Sequence, residues 1–305
     1  MDWGLIAAGF GVGTIVGLTG MGGGALMTPI LVLFFGVPPL TAVSSDLVAS
    51  AVMKPVGSAV HIRRGGVDWR LVGWLCLGSV PAAFCGVLVS KALGNGARVQ
   101  DVVQIALGVA LLLAVLGLVL RGYVRLREQS RRLRDGGSGD GTEGPVVVRP
   151  LATVVLGALG GLVVGMTSVG SGSLIIVALL ALYPMLRPNK LVGTDLVQAV
   201  PLVTAAALGH ILFGDFRFEL TTALLIGSIP GAFLGAQLSS RAPGGLIRRA
   251  LALVLLASAL KLLHVSNEMV GVAVVAAFAA GTLGWMVLRR ANGLPALGRL
   301  GLQQG

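Results

Sequence analysis

Apolar blocks about as long as a bilayer is thick follow one another along this chain, and that pattern limits its fold more than any other feature. A hydrocarbon core about 30 Å thick takes roughly 20 apolar residues per helix. Blocks of that size lie at 38–60, 69–90, 99–120, 191–213, 218–239, 246–263 and 269–288. Two longer ones occupy 3–36 and 151–182. A helix that is apolar all round sits in lipid or in a large core, and so many within 305 residues leave only lipid. Charged residues make up 11% of the chain, against about 25% in soluble domains. The expected fold class is an all-α, polytopic membrane protein, with the lipid bilayer as its surroundings.

The net charge of +11 would suggest nucleic acid on a soluble domain. Here the arginines fall in short loops, where positive charge sets membrane orientation. Aromatic residues are too scarce for a base-stacking platform, so no nucleic-acid partner is expected. Cys76 and Cys85 share one block, about 13 Å apart along a helix axis, which offers no disulfide or metal framework. The sequence holds no HExxH or CxxC spacing and no GxSxG with a plausible triad. Gly20-Met21-Gly22-Gly23-Gly24 lacks the Gly-Lys-Ser/Thr that completes a P-loop. No metal, cofactor or enzymatic activity is expected. Residues 1–10 lack the basic start of a cleavable signal.

One clear break interrupts the blocks. Residues 121–149 begin with six arginines up to Arg134, followed by Asp135-Gly136-Gly137-Ser138-Gly139-Asp140-Gly141, a composition expected to stay unordered. On either side the chain repeats. Gly17 to Ala25 aligns with Gly165 to Ser173, Ser45-Asp46-Leu47-Val48 with Thr194-Asp195-Leu196-Val197, His61 with His210, Asp68 with Asp215, and Gly78-Ser79-Val80-Pro81 with Gly227-Ser228-Ile229-Pro230. The offset stays between 147 and 149 throughout. Such internal duplication is typical of transporters. The expected divisions are a first membrane repeat (1–122), a cytoplasmic flexible linker (123–149), a second repeat (150–264), and an extra transmembrane helix with its tail (265–305).

Each long block has a Gly/Ser cluster near its middle. It is either one tilted, broken span or a re-entrant hairpin of two short helices. With the linker cytoplasmic and both blocks as hairpins, 18 of the 23 Lys and Arg lie inside, 4 outside, and Lys54 within a span. With both as single crossings, 12 lie inside and 10 outside. The positive-inside rule therefore favours hairpins. Each repeat then makes an odd number of crossings, so the two repeats are expected to be inverted. Each would comprise a broken hairpin and three transmembrane helices, and one extra C-terminal helix returns the chain to the cytoplasm.

Thr19, Gly20, Gly22, Gly23 and Gly24 form one candidate site half, and Ser168, Gly170, Ser171, Gly172 and Ser173 the other. Glycine lets backbone approach a ligand closely, amides at short-helix N-termini favour anions, and the hydroxyls add donors. Helix packing through small residues is the competing reading. It is preferred for Gly9, Gly13 and Gly17. Asp46 and Asp195 are ionisable residues within spans, which are functional by default. With Ser45 and Thr194 beside them, they could instead cap helix starts or make structural hydrogen bonds. His61 and His210 end matched helices and could couple transport to protons. An interfacial histidine bonded to the following loop is the preferred reading for both.

These residues together resemble the sulfite exporter TauE/SafE family of membrane transporters. The resemblance rests on Gly20-Met21-Gly22-Gly23-Gly24, Ser45-Asp46-Leu47 and the run from His61 to Arg70. In the second half it rests on Ser168 to Ser173, Val192-Gly193-Thr194-Asp195-Leu196, Leu208-Gly209-His210 and Gly214-Asp215-Phe216. It implies export of small anions such as sulfite, sulfonates or thiosulfate across the bacterial inner membrane. An anion channel and a non-transporting membrane sensor or assembly protein are the alternatives. A homodimer is a further expectation to be tested.

Overall fold

The computed structural model describes residues 3–19, 24–63, 65–92, 96–134, 148–172, 174–183, 186, 188–213, 216–238 and 244–291. Every regular element among them is an α-helix: α1 (Trp3–Thr19), α2 (Gly24–Phe34), α3 (Pro39–Arg63), α4 (Trp69–Ala92), α5 (Ala97–Arg134), α6 (Pro150–Thr167), α7 (Leu174–Leu182), α8 (Pro188–Phe213), α9 (Phe218–Leu238), α10 (Gly244–Leu262) and α11 (Asn267–Ala291). Backbone polar groups in lipid must pair within their own segment, which explains why the apolar blocks become helices. Six of the described helices (α4, α5, α6, α8, α9 and α11) contain a stretch long and apolar enough to cross a bilayer. Their ends follow local chemistry. Proline begins α3, α6 and α8, where its missing amide costs nothing. Asp68 caps α4, its Oδ1 accepting the amides of Arg70 and Leu71 at 3.1 Å each.

The second long block is interrupted at its Gly/Ser cluster, between α6 and α7, while in the first α1 ends at Thr19 and α2 begins at Gly24, with 20–23 outside the described residues. The arms are unequal. With 17 and 18 residues, α1 and α6 are about 25–27 Å long at 1.5 Å per residue. With 11 and 9 residues, α2 and α7 reach only about half of a bilayer core.

The packing is reciprocal between the two halves. Helix α1 lies along α9, and α6 lies along α4. By the sequence alignment, α6 is the counterpart of α1 and α9 that of α4. At the centre α3 packs against α8, and α5 packs against α10. Glycines set the close crossings. A Cβ on Gly13 would stand 2.8 Å from Ser228 Cα, and one on Gly161 2.7 Å from Ser79 Cα. Gly9 likewise faces Leu224 of α9, so Gly9 and Gly13 serve packing, as expected.

The polarity runs opposite to that of a soluble protein. Leu77, Leu159, Phe233 and Val272 face outward, while the buried centre holds Asp46, Lys54, Asp195, Gln198 and His210. Lipid covers such a surface, and the polar groups are confined to the interior. Helix α11 rests on α10 and exposes most of its length.

The expectation of an unordered linker over 121–149 needs correction at its start. Helix α5 continues to Arg134. The segment from Tyr123 to Arg134 has no Gly or Pro and is rich in Leu, Arg, Glu and Gln, residues that favour helix without tertiary support. Residues 135–147 lie outside those described.

Candidate functional site

The interruption of the second long block begins where α6 ends. Ser168 takes a left-handed conformation (φ 59°) and its amide donates to the Val164 carbonyl at 2.7 Å. Gly170 and Gly172 also have positive φ, 127° and 100°, values that glycine adopts without strain. Helix α7 resumes with the Leu174 amide on the Gly170 carbonyl at 3.0 Å. Ser168 and Ser171, which flank this turn, are buried.

Two side chains of α3 hold the turn. Asp46 Oδ2 accepts hydroxyl bonds from Ser168 at 2.7 Å and from Thr28 of α2 at 2.9 Å. Lys54 Nζ donates to Ser171 Oγ. The start of α2 reaches the same place, because a Cβ on Gly24 would stand 2.8 Å from Ser168 Oγ and 3.1 Å from Asp46 Oδ2. Gly24 and Ser168 thus bring the start of α2 and the end of α6 together over one carboxylate. Gly20, Gly22, Gly23, Ser173 and the Thr19 side chain lie outside the described residues.

Asp195 of α8 is the second buried carboxylate. Its Oδ1 accepts from Gln198 Nε2 at 3.2 Å, one turn along the same helix. Gln198 Oε1 in turn accepts from Ser79 of α4 at 3.2 Å. Lys54 lies within electrostatic reach of both Asp195 and Asp46.

Helix capping by Asp46 and Asp195 is overturned. Helix α3 starts at Pro39 and α8 at Pro188, which puts both carboxylates about two turns inside. They are 2% and 0% exposed. Ser45 and Thr194 are likewise internal. Thr194 Oγ1 accepts the Asp68 amide at 2.9 Å and fastens the loop before α4. Ser45 Oγ is buried with no hydrogen-bond partner among the described residues. The bonds of His210 reach two other helices. Its ring is fully buried, with Nδ1 2.8 Å from Ser44 Oγ of α3 and Nε2 2.9 Å from the Gly165 carbonyl of α6. His61 is half-buried, and its backbone carbonyl accepts the Gly66 amide of the following loop at 3.1 Å.

The hydroxyls do not play one role. Ser168 gives its proton to Asp46, so in this arrangement it has none for a guest. Ser171 accepts from Lys54 and keeps its own proton to donate. The ammonium has further donors beyond that bond. A positive charge and a hydroxyl donor therefore stand together at the second interruption.

The family model described as Sulfite exporter TauE/SafE matches residues 5–262. The chain belongs to the sulfite exporter TauE/SafE family. It is 35% identical over 266 residues to the Bacillus subtilis (strain 168) probable membrane transporter protein YjnA, covering 86% of this chain and all of that one. It is 24% identical to the B. subtilis probable membrane transporter protein YdhB, over 79% of this chain and 92% of the relative. A probable membrane transporter protein of Xylella fastidiosa (strain Temecula1) is 26% identical over 84% of this chain and 92% of its own length. No solved structure matches. As a TauE/SafE family member the protein is a multi-pass membrane transporter, not an enzyme. Sequence reasoning did not place Thr28, Ser44, Lys54 or Gln198 in this transporter's site. For Lys54 the signal was present, since a basic residue inside a span is expensive without a partner.

Proposed function

We propose that the protein exports small anions, such as sulfite, sulfonates or thiosulfate, and holds them between the two helix interruptions. One observation carries this reading: a buried lysine hydrogen-bonded to Ser171 at the turn of the second repeat. Lys54 supplies the positive charge, and Ser171 with the glycine-rich backbone supplies neutral donors. The Asp46 carboxylate is occupied by Thr28 and Ser168, which keeps its charge engaged away from the guest. Ser45 Oγ, buried and unbonded among the described residues, is a further donor from the same helix.

The two repeats are inverted in the bacterial inner membrane, with 121–149 and the C-terminus cytoplasmic. The arginine distribution and the reciprocal packing of α1 on α9 and α6 on α4 support this arrangement. Half-length α2 and α7 then enter from opposite faces, a design that allows alternating access.

The test is flux into proteoliposomes for a panel of sulfite, thiosulfate, ethanesulfonate and a carboxylate. K54M is expected to lose anion flux and K54R to retain part of it, with both proteins inserted normally. Saturable flux marks a transporter rather than a channel. Wild-type rates in K54M would refute the site.

A further inference from the structure

Two buried hydroxyls stand without a hydrogen-bond partner among the described residues, Ser45 Oγ of α3 and Ser228 Oγ of α9. Their counterparts in the other half are both bonded. Thr194, which matches Ser45, accepts the Asp68 amide at 2.9 Å. Ser79, which matches Ser228, donates to Gln198 Oε1 at 3.2 Å. The second difference has a cause in the sequence. Gln198 follows Asp195 by three residues, and the residue three after Asp46 is Ala49. Ser228 and Ser79 make the same backbone approach to a neighbouring helix, at Gly13 and at Gly161. Where α8 reaches Ser79 with an amide, the matching side chain of α3 ends at a buried methyl group.

The extent of packing follows the bonds. Helix α8 lies along much of α4, whereas α3 meets α9 over a short stretch. The α4–α6 pair is tied to α8 a second time by His210, whose Nε2 is 2.9 Å from the Gly165 carbonyl. Helices α3 and α8 are joined in turn, with Ser58 Oγ donating to the Leu196 carbonyl at 2.9 Å. On the opposite side, α1 and α9 meet backbone to backbone at Gly9, Gly13, Gly227, Gly231 and Gly235. Small residues allow that close approach, and α1 touches α2 and α10 briefly.

We infer that α1 and α9 move as one unit against α3, while α4 and α6 stay fixed to α8. Parting α4 from α8 would break bonds between buried groups, which are expensive to leave unmade. Parting α3 from α9 breaks none at Ser45 or Ser228. It instead lets water or a polar guest reach two hydroxyls whose burial without partners costs free energy. Packed interfaces shift between discrete arrangements, and the seam that loses least is the one that shifts. It adjoins the candidate site, because Ser45 and Ala49 flank Asp46 on α3. The purpose of the motion rests on the transport reading above, but the motion is measurable whatever the guest.

Two measurements test this. The first places pairs of spin labels at exposed positions of the full-length protein in lipid nanodiscs, with Cys76 and Cys85 replaced by alanine. Val52 with Phe233 spans α3 and α9, Leu77 with Thr204 spans α4 and α8, and Ala7 with Phe233 lies within the moving unit. Pulsed electron paramagnetic resonance gives each distance without guest and with excess ethanesulfonate. We expect more than one distance, or a shift between the two conditions, for Val52/Phe233 alone. A single unchanged distance there, or an equal change across α4 and α8, overturns the inference. Anion flux with a static seam leaves transport standing without this motion. A mobile seam with no flux of any anion counts against the anion reading and leaves the motion standing. In A49Q, which supplies the missing amide, the second distance should disappear and flux should fall. A seam that moves as before in A49Q overturns the part assigned to Ala49.

The second measurement is equilibrium unfolding in mixed micelles. S79A should lower the folded ratio about tenfold, because Gln198 loses its donor, and S228A should leave it unchanged or raise it. Equal losses in the two variants would mean that the Ser228 hydroxyl is bonded, and would overturn the inference.

Discussion

Adding one methyl group at Gly161 and at Gly13 should weaken the fold by similar amounts, because the two glycines occupy matching crossings in the two halves. A Cβ at Gly161 would stand 2.7 Å from Ser79 Cα, and one at Gly13 2.8 Å from Ser228 Cα. Carbon atoms in contact settle at about 3.5–4.0 Å, so each helix pair must part by about 1 Å. A gap of that size forfeits a quarter to a half of each dispersion contact along the seam. Overpacking of this kind costs about 1–3 kcal/mol. Helix propensity works the other way, since alanine is favoured over glycine by about 1 kcal/mol. Gly73→Ala isolates that gain, because a Cβ there meets nothing within 4 Å. Equilibrium unfolding in mixed micelles, read by tryptophan fluorescence, should rank G73A above G161A and G13A. A difference of one to two kcal/mol is a factor of about 5–30 in the folded ratio, well within reach of the assay. G161A and G73A of equal stability would refute the close approach of α4 and α6, and with it the reciprocal packing.

The same unfolding assay separates the two parts Asp46 plays. D46A leaves the Thr28 and Ser168 hydroxyls without their acceptor, at about 1–3 kcal/mol for each buried group left unmade, whereas D46N keeps one acceptor oxygen and should lose less. Equal stability of the two variants would mean that these bonds are not made. Gly172→Leu puts a branched side chain at φ 100°, a strain of about 1–3 kcal/mol. It should reduce anion flux to background while the protein still inserts, and normal flux would remove that turn from the transport path.

Most of the helical layout was legible in the apolar blocks. The block at 69–90 became Trp69–Ala92 and that at 218–239 became Phe218–Leu238, because charges and loop residues bound each span. The interruption of the second block was legible from its glycine and serine cluster. What failed did so at polar helix ends. The block starting at 191 omitted Pro188-Asn189-Lys190, yet α8 starts at Pro188, a full turn earlier. That one turn moves Thr194 and Asp195 from a capping position to the interior. The helical extension of α5 past Leu120 was missed for a related reason. Arginine and glutamate signal solvent, and solvent was equated with disorder, although these residues favour helix.

The site was legible in its backbone and not in its side-chain partners. Glycine and serine at the interruptions could be read locally, because conformational freedom is a property of the residue. The bonds that give those residues chemistry join α3 to a turn more than a hundred positions away, as in Lys54 to Ser171, and no spacing rule along one helix can anticipate them. Eight residues, about 12 Å of helix axis, separate Asp46 from Lys54. What that gap could not reveal is that the second repeat fills it, with Ser168 on the carboxylate and Ser171 on the ammonium. Burying an ammonium costs several kcal/mol unless partners are supplied. A lysine of the first repeat bonded to Ser171 of the second meets that cost only while the repeats are docked, so the charge that would attract an anion also helps hold the two halves together.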